Sequence, residues 1–396
     1  MAAIAARIAG MGDVEIGNAL DEISGEFSAR HQDVRSRFLA RFEQVRQMIG
    51  GHEDLSEERR MVVGSYFLAE YSLESAALFN PSMVPHPDQS GLPAGALRFV
   101  LSLRATGEGH VSSITFRTGI VHRDHRIELS PSVGFLTEPR QVANPDHDPN
   151  SSSYEVQFSA DLELSQRILF PKTPSQRNGI EDARFVRFVN DDGSCCYYAT
   201  FTAYDGRMVR PELVDTVDFL RFRFFTLSGP AARNKGMALF PRKVNGRYAM
   251  LSRQDNESIH LMFSDNVHFW NESAVLLQPV FPWELVQIGN CGSPIETDAG
   301  WLVLSHGVGP MRKYCIGAFL LDRHDPSKVI GRLREPLLRP SHREREGYVP
   351  NVVYSCGGLL HGDRLIIPYG IADHATGFAT VPLADILAGM EPGPGA

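Results

Sequence analysis

The feature that most constrains the fold is a recurring pair of short β-type runs. Each pair has a polar or proline-containing entry, an apolar strand, a turn of Gly, Asp or Asn residues and a second apolar strand. Five segments share this pattern, with entries near residues 80, 181, 236, 291 and 349. The last four lie about 55 residues apart, a length that suits a four-stranded propeller blade. The pattern predicts an all-β protein built as a five-bladed β-propeller.

A helical pattern precedes these repeats. From about residue 16 to residue 49, apolar residues recur at helical spacing among charged ones, with no proline. We therefore expect an N-terminal α-helical extension over residues 1–60, followed by a five-bladed propeller domain over residues 61–390. The apolar stripe is expected to pack within the chain, and a homo-oligomer through these helices is the alternative.

Charge and cysteine content limit the partners of this chain. A net charge of −8 gives no surplus of Lys and Arg for general binding to nucleic acid or to an anionic membrane. No window reaches the ~20 apolar residues of a membrane span. The five cysteines lack metal-ligand spacing. We expect a cytoplasmic protein with reduced thiols, no metal, and no nucleic-acid or membrane partner, in which any anion is bound by a local basic cluster.

The segment 178–187 carries two adjacent carboxylates and two arginines before an aromatic run. Taken alone it is typical of a solvated turn, but its recurrence in outline favours a site. Successive side chains of a strand point to opposite faces, so we expect only one of Glu181 and Asp182 to face a cleft, and we choose Asp182. The entry strands of blades would line one axis. The residues predicted to converge there are Asn80, Arg104, Asp182, Arg184, Lys235, Arg253, His306, Asn351 and Asp373.

Several motifs, in this order, resemble glycoside hydrolase family 130. They are Asn-Gly-Ile-Glu-Asp-Ala-Arg at 178–184, Asn-Lys-Gly at 234–236, Gly-Trp-Leu at 300–302 through His-Gly-Val at 306–308, Val-Pro-Asn-Val-Val at 349–353 and Tyr-Gly-Ile-Ala-Asp at 369–373. The resemblance covers roughly residues 76–385. It implies a five-bladed propeller that acts on β-mannosides, in most members an inverting phosphorylase and in a minority a hydrolase. Ala183 and Gly236 depart from the usual family pattern, so the linkage and the acceptor, phosphate or water, stay open.

The resemblance also implies roles for individual residues. Asp182 would be the general acid, with its proton reaching the glycosidic oxygen through a hydroxyl of the mannose. The positions that would hold this mannose are Asn80, Arg104 and Asp373. The candidates on the phosphate side are Arg184, Lys235, Arg253, His306 and Tyr314. The partner is then a small oligosaccharide, with inorganic phosphate as co-substrate and no cofactor.

Phosphorolysis and hydrolysis need different groups beside the acid. An inverting hydrolase needs a second carboxylate ~6.5–9.5 Å away to activate water. Phosphate is already a nucleophile and needs cationic donors instead. The sequence supplies further cations at Arg312 and Lys313, and candidate bases at Glu212, Glu257, Glu284 and Glu296. We favour phosphorolysis of a β-mannoside to mannose 1-phosphate. The alternatives are an inverting β-mannosidase, a glycosidase of another five-bladed family and a non-catalytic carbohydrate-binding propeller.

Overall fold

The computed structural model describes residues 1–31, 33–49, 55–132, 135–142 and 153–393. The chain divides into two compact units, Met1–Ser72 and Leu73–Ala396. The first unit is helical and the second consists almost entirely of β-strands. Among the described residues, no helix has the length and apolar character needed to cross a membrane.

Four helices form the first unit: α1 (Ala2–Ala9), α2 (Asp13–Phe27), α3 (Val34–Ile49) and α4 (Glu57–Ser65). The predicted apolar stripe is buried within this unit, where Phe42 and Ile49 of α3 share a core with residues of α1 and α4. Helices α3 and α4 approach closely at Gly64, where a Cβ atom would lie 1.9 Å from the carbonyl oxygen of Phe38. The stripe therefore packs within the chain, as first expected.

The second unit contains five successive groups of strands. The first group is β1 (Ala77–Pro85), β2 (Leu97–Thr106), β3 (Ser112–Val121) and β4 (Ile127–Leu129), followed by the short strands β5 (Arg140–Val142), β6 (Tyr154–Gln157) and β7 (Ile168–Leu169). The second group is β8 (Gly179–Val189), β9 (Cys195–Tyr204), β10 (Val209–Thr216) and β11 (Arg221–Thr226). The third group is β12 (Lys235–Leu239), β13 (Tyr248–Arg253), β14 (Ile259–Ser264) and β15 (Ala274–Leu277).

In the last two groups the first strand is interrupted. The fourth group is β16 (Gln287–Asn290), β17 (Ile295–Thr297), β18 (Gly300–Val308), β19 (Tyr314–Leu321) and β20 (Val329–Leu333), in which β16 and β17 both pair with β18. The fifth group is β21 (Val353–Tyr354), β22 (Leu359–His361), β23 (Arg364–Ile371) and β24 (Ala375–Pro382), in which β21 and β22 both pair with β23. Helix α5 (Leu383–Ala388) and strand β25 (Met390–Pro392) follow, and β25 pairs with β20.

These groups form four hydrogen-bonded sheets in the described part of the chain. The first two groups share an 11-stranded sheet because Ser112 of β3 pairs in parallel with Gly179 of β8. The third and fifth groups each form a four-stranded sheet, and the fourth, with β25, forms a six-stranded sheet. The prediction of a mostly β protein preceded by helices is confirmed, whereas this pairing does not by itself define five blades.

Contacts between the entry strands bring the groups together. The backbone NH of Cys356, between β21 and β22, donates to the carbonyl of Pro81 in β1 (2.8 Å). The backbone NH of Phe185 in β8 donates to Ser82 Oγ of β1 (3.0 Å). Gly292, between β16 and β17, lies so near Cys356 that a Cβ atom would be 2.3 Å from its carbonyl oxygen. Residues far apart in sequence therefore meet at the starts of these groups.

Candidate active site

Three of the entry strands share one irregularity at the same place. At residues 80–81 of β1, 182–183 of β8 and 236–237 of β12, two residues lie opposite a single residue of the next strand. This arrangement is a β-bulge, and the first residue of each bulge has a positive φ: 48° at Asn80, 55° at Asp182 and 84° at Gly236. Bulges of this kind re-aim side chains and are frequent beside active sites.

The bulge in β8 determines how Glu181 and Asp182 are oriented. Arg104 Nη2 donates to Glu181 Oε1 at 2.9 Å, and Arg104 Nη1 lies 3.4 Å from Asp182 Oδ1. Both carboxylates thus face one guanidinium, so the prediction that only one of them faces the cleft is wrong. The alternation rule fails because Asp182 is in the left-handed region and not in an extended strand. Glu181 therefore lies in the same charged cluster as Asp182, although the alternation rule had excluded it.

Asp182 is surrounded by groups that stabilise its ionised form. Asn80 Nδ2 donates to Asp182 Oδ1 at 2.8 Å. Burial would raise the pKa of Asp182, but Arg104, Arg184 and Lys235 outweigh it and lower the pKa to about 2. In this charge environment the carboxyl group is an anion at neutral pH.

Asp373 has the opposite electrostatic character. It follows β23, is half-buried and has a φ of 52°. Burial, together with repulsion from Asp182, raises the pKa of Asp373 to about 6, although Arg104 and Arg312 oppose the rise. No described residue forms a hydrogen bond or ion pair with its carboxyl group. Two carboxyl groups whose pKa values are pushed apart can take different roles in acid–base chemistry.

The cations beside the carboxylates are held in different ways. Arg184 is 3% exposed and donates to the carbonyl of Cys291 through Nε (2.8 Å) and to the Tyr354 hydroxyl through Nη2 (2.7 Å). These hydrogen bonds hold the residue that follows the β8 bulge in place, and the guanidinium adds positive charge near Asp182. Lys235 Nζ donates to Glu181 Oε2 at 2.9 Å, so Glu181 links Lys235 to Arg104.

Arg253 and His306 are neighbours in the basic cluster. Arg253 Nη1 lies 3.4 Å from His306 Nε2, and Arg253 Nε is buried without a hydrogen-bond partner among the described residues. No described carboxylate forms an ion pair with Arg253, and burial lowers its pKa. His306 is 1% exposed, and burial and the neighbouring guanidiniums put its pKa well below 6.5, so its ring is neutral at pH 7. A buried cation without a counter-charge is unfavourable unless an anion binds beside it.

Corresponding positions of the second strands explain why these residues converge. Arg104 pairs with residue 79, Arg253 with residue 235 and His306 with residue 289, each at or beside the irregular part of an entry strand. Gly289 packs so closely on His306 that a Cβ atom would lie 2.4 Å from its Cε1 atom. The repeat in the sequence predicts this convergence.

Aromatic residues lie beside the His306 ring. The His306 ring is stacked on Tyr314 (6.0 Å between centroids, 16° between planes) and lies 4.8 Å from Tyr354. Asn351 contributes its backbone, since its carbonyl accepts a hydrogen bond from the NH of Tyr314 (3.0 Å). Tyr354 was missed by the sequence argument, and its only signal was its position just after the 349–353 motif.

Three of the four candidate bases are occupied by other partners. Glu212 accepts hydrogen bonds from the Ser175 and Gln176 side chains, whereas Glu284 pairs with Arg332 and Glu296 with Arg242. The fourth, Glu257, is exposed. In the described ranges, no group of three or more His, Cys, Asp or Glu residues could hold a metal ion.

The chain is similar to known mannoside phosphorylases. A family model described as beta-1,4-mannooligosaccharide phosphorylase matches residues 150–391, which include Asp182 and all the phosphate-side candidates but not Asn80 or Arg104. A 1,2-beta-oligomannan phosphorylase of Thermoanaerobacter sp. (strain X514) is 36% identical over 233 residues, 57% of this chain and 75% of that protein. A beta-1,2-mannobiose phosphorylase of Listeria innocua is 33% identical over 238 residues, 57% of this chain and 63% of that protein.

A solved structure shows the same fold. Beta-1,2-mannobiose phosphorylase from Listeria innocua, in complex with beta-1,2-mannobiose, has a TM-score of 0.58 at 22% identity and covers 82% of this chain and 94% of its own. The family model matches more than half of the chain. The chain therefore belongs to glycoside hydrolase family 130, the β-mannoside phosphorylase family.

Proposed function

We propose that the protein is an inverting phosphorylase that transfers a β-linked mannosyl residue to inorganic phosphate, giving mannose 1-phosphate and a shortened saccharide. The observation that carries this proposal is Arg253, a half-buried residue whose Nε atom is buried and which has no carboxylate partner among the described residues, next to the neutral ring of His306. An anion such as phosphate supplies the missing counter-charge. The similarity to named phosphorylases supports the same reaction.

We further propose that the five strand groups are the blades of a propeller that follows the helical extension. The entry strand of the first group contacts the entry strands of the second and fifth groups, and the entry of the fourth group contacts that of the fifth. These contacts suit closure of the five groups around one axis. In such a fold the catalytic domain is the β unit, and its ligands bind where the entry strands meet.

On the sugar side, Asn80, Arg104 and Asp373 would hold the mannose whose bond is cleaved, and Asp182 would act as the general acid. Asp182 gives its proton, through a mannose hydroxyl, to the glycosidic oxygen as the bond from C1 to that oxygen breaks. A phosphate oxygen attacks C1 from the opposite face, and the carboxylate of Asp182 regains a proton from solvent.

The low pKa of Asp182 makes this role depend on phosphate. A phosphate anion among Arg184, Lys235 and Arg253 would offset positive charge that otherwise stabilises the Asp182 carboxylate. The pKa of Asp182 then rises when phosphate binds. Asp182 therefore carries the proton that it needs as a general acid only when phosphate is present. Glu181 helps to hold Arg104 and Lys235 in place for both substrates.

The phosphate ligands would be Lys235, Arg253, His306 and Tyr314, with Arg184 contributing charge while its hydrogen bonds keep Tyr354 and the bulge in position. The two named relatives act on β-1,2-linked substrates, according to their names. We therefore propose a β-1,2-linked mannooligosaccharide as the substrate.

The test is to incubate the protein with β-1,2- and β-1,4-linked mannobiose, with and without phosphate. Mannose 1-phosphate formed only with phosphate, and faster from the β-1,2-linked sugar, supports the proposal. Free mannose released at the same rate without phosphate would identify an inverting β-mannosidase instead. Asp182→Asn should lower turnover by about 100-fold or more, in the range for loss of a general acid. The exposed Asp385→Asn serves as the matched control.

A further inference from the structure

We infer that Tyr348 and His110 form a stacking platform for the saccharide that leaves when the mannosyl bond is cleaved. Their rings lie 5.6 Å apart with 28° between planes, although one belongs to the segment before β21 and the other to the turn between β2 and β3. Tyr348 is 74% exposed, so His110 covers only part of its ring. This inference rests on the proposed function and deepens it.

The segment that carries Tyr348 is fixed beside Asp373. The Tyr369 hydroxyl donates to Glu344 Oε1 at 2.7 Å, and the NH of Val349 donates to the carbonyl of Ala372 at 3.0 Å. Gly347 packs on Ala372, where a Cβ atom would lie 2.6 Å from both the Cβ and the carbonyl oxygen. The contacts before and after Tyr348 in sequence therefore hold this segment in place, and two of them are made with Ala372, the residue that precedes Asp373.

Exposure indicates which part of the substrate meets this platform. Arg253 and His306 are the more deeply buried groups, whereas Tyr348 and His110 are exposed. In an inverting reaction the nucleophile and the leaving group lie on opposite faces of the sugar. With phosphate beside the buried cations and the mannose held by Asp373, the leaving saccharide extends toward the exposed aromatic pair.

The chemistry of the pair suits a sugar. An aromatic ring offers a rigid apolar face with little conformational entropy to lose, and a pyranose presents an apolar face of C–H groups. The corresponding turn between β18 and β19 carries Arg312, whose charge acts on Asp373, and it repeats the local backbone of the His110 turn: φ is 72° at Gly109 and 57° at Met311. The two turns thus share a local backbone, and while Arg312 of one acts on Asp373, His110 of the other stacks on Tyr348.

The test uses the reverse reaction, in which mannose 1-phosphate and an acceptor mannooligosaccharide are joined. Tyr348→Ala should raise the KM for an acceptor disaccharide about tenfold, equivalent to about 1.4 kcal/mol, and leave the KM for mannose 1-phosphate unchanged. Tyr348→Phe keeps the ring and should resemble the wild type. Tyr66→Ala removes an exposed tyrosine of the helical unit and is the matched control.

Two results would overturn the platform: an unchanged acceptor KM in Tyr348→Ala, or an equal rise in the KM values for both substrates. Titration of the full-length wild type and of Tyr348→Ala with β-1,2-mannotriose by calorimetry separates this inference from the proposed function. If the wild type binds the trisaccharide but forms no bond with mannose 1-phosphate, the proposed reaction fails. Weaker binding by Tyr348→Ala would then still support the platform, whereas equal binding would reject it.

Discussion

Replacing Asp182 or Asp373 by Asn should change the stability of the β unit in opposite directions at neutral pH. Both carboxyl groups act on Arg104 and on each other, yet the pKa of Asp182 is lowered to about 2 and that of Asp373 is raised to about 6. A lowered pKa means that folding favours the ionised form, and a raised pKa means that folding disfavours it. An Asn side chain does not ionise, so each substitution removes one of these contributions.

The size of each effect follows from the pKa change, at about 1.36 kcal/mol per pKa unit. The fall from 3.8 to about 2 stabilises the folded state by about 2 kcal/mol at pH 7.5, and this contribution is lost as the pH falls through 2. The rise from 3.8 to about 6 destabilises the folded state by about 3 kcal/mol at pH 7.5, and this penalty disappears as the pH falls from 6 to 3.8. Asp373→Asn should therefore gain stability at pH 7.5 but little at pH 4, while Asp182→Asn loses stability at both.

Urea unfolding followed by tryptophan fluorescence measures this directly. All three tryptophans, Trp270, Trp283 and Trp301, lie in Leu73–Ala396, so the signal reports on that unit. The double variant should be less stable than the sum of the two single changes predicts, because either substitution removes the repulsion between the ionised carboxyl groups and the sum counts this gain twice. Changes of the same sign for both variants at pH 7.5, with Asp385→Asn unchanged, would refute the electrostatic account of the site.

Three further predictions concern the phosphate side and the entry strands. Gly289→Ala should raise the KM for phosphate about tenfold, because the new Cβ displaces His306, and initial rates at saturating mannoside check this. Arg253→Met should abolish saturation of the rate by phosphate. It should leave the urea midpoint of unfolding equal to or higher than that of the wild type, because it removes a guanidinium that has no ion-pair partner. A lower midpoint would contradict this prediction. Gly292→Ala should lower the free energy of unfolding by about 2 kcal/mol or more, because its Cβ would lie 2.3 Å from the carbonyl oxygen of Cys356.

The repeat in the sequence predicts part of the candidate site. Arg104, Arg253 and His306 occupy corresponding positions of second strands, and a periodic signal carries that information. The orientation of Glu181 was not predictable in the same way, because it depends on a bulge one residue later. Side chains alternate between the two faces of a strand only where the strand is regularly paired. A single residue in the left-handed region changes the face to which its neighbour points.

The contacts of Tyr348 illustrate a second limit of sequence reasoning. Its partner His110 lies in a different strand group, and no periodic signal relates a turn after β2 to a segment before β21. The anchoring through Gly347 and Ala372 depends on close packing between backbones, which leaves no mark in the spacing of apolar residues. Interactions of this kind become visible only when the groups are placed in three dimensions.

The residue types at the three bulges serve conformation and chemistry together. A positive φ costs little for Gly and is tolerated by Asn and Asp more than by other side chains, so these positions accept few residues. Asn80 and Asp182 occupy two of these positions, in the first and second strand groups, and Asn80 donates a hydrogen bond to Asp182. The third, Gly236, adds no side chain beside Arg253, and even a Cβ atom there would lie 3.3 Å from the Cβ of that arginine. The same backbone irregularity therefore fixes the candidate acid in one group and, in another, leaves room beside a candidate phosphate ligand.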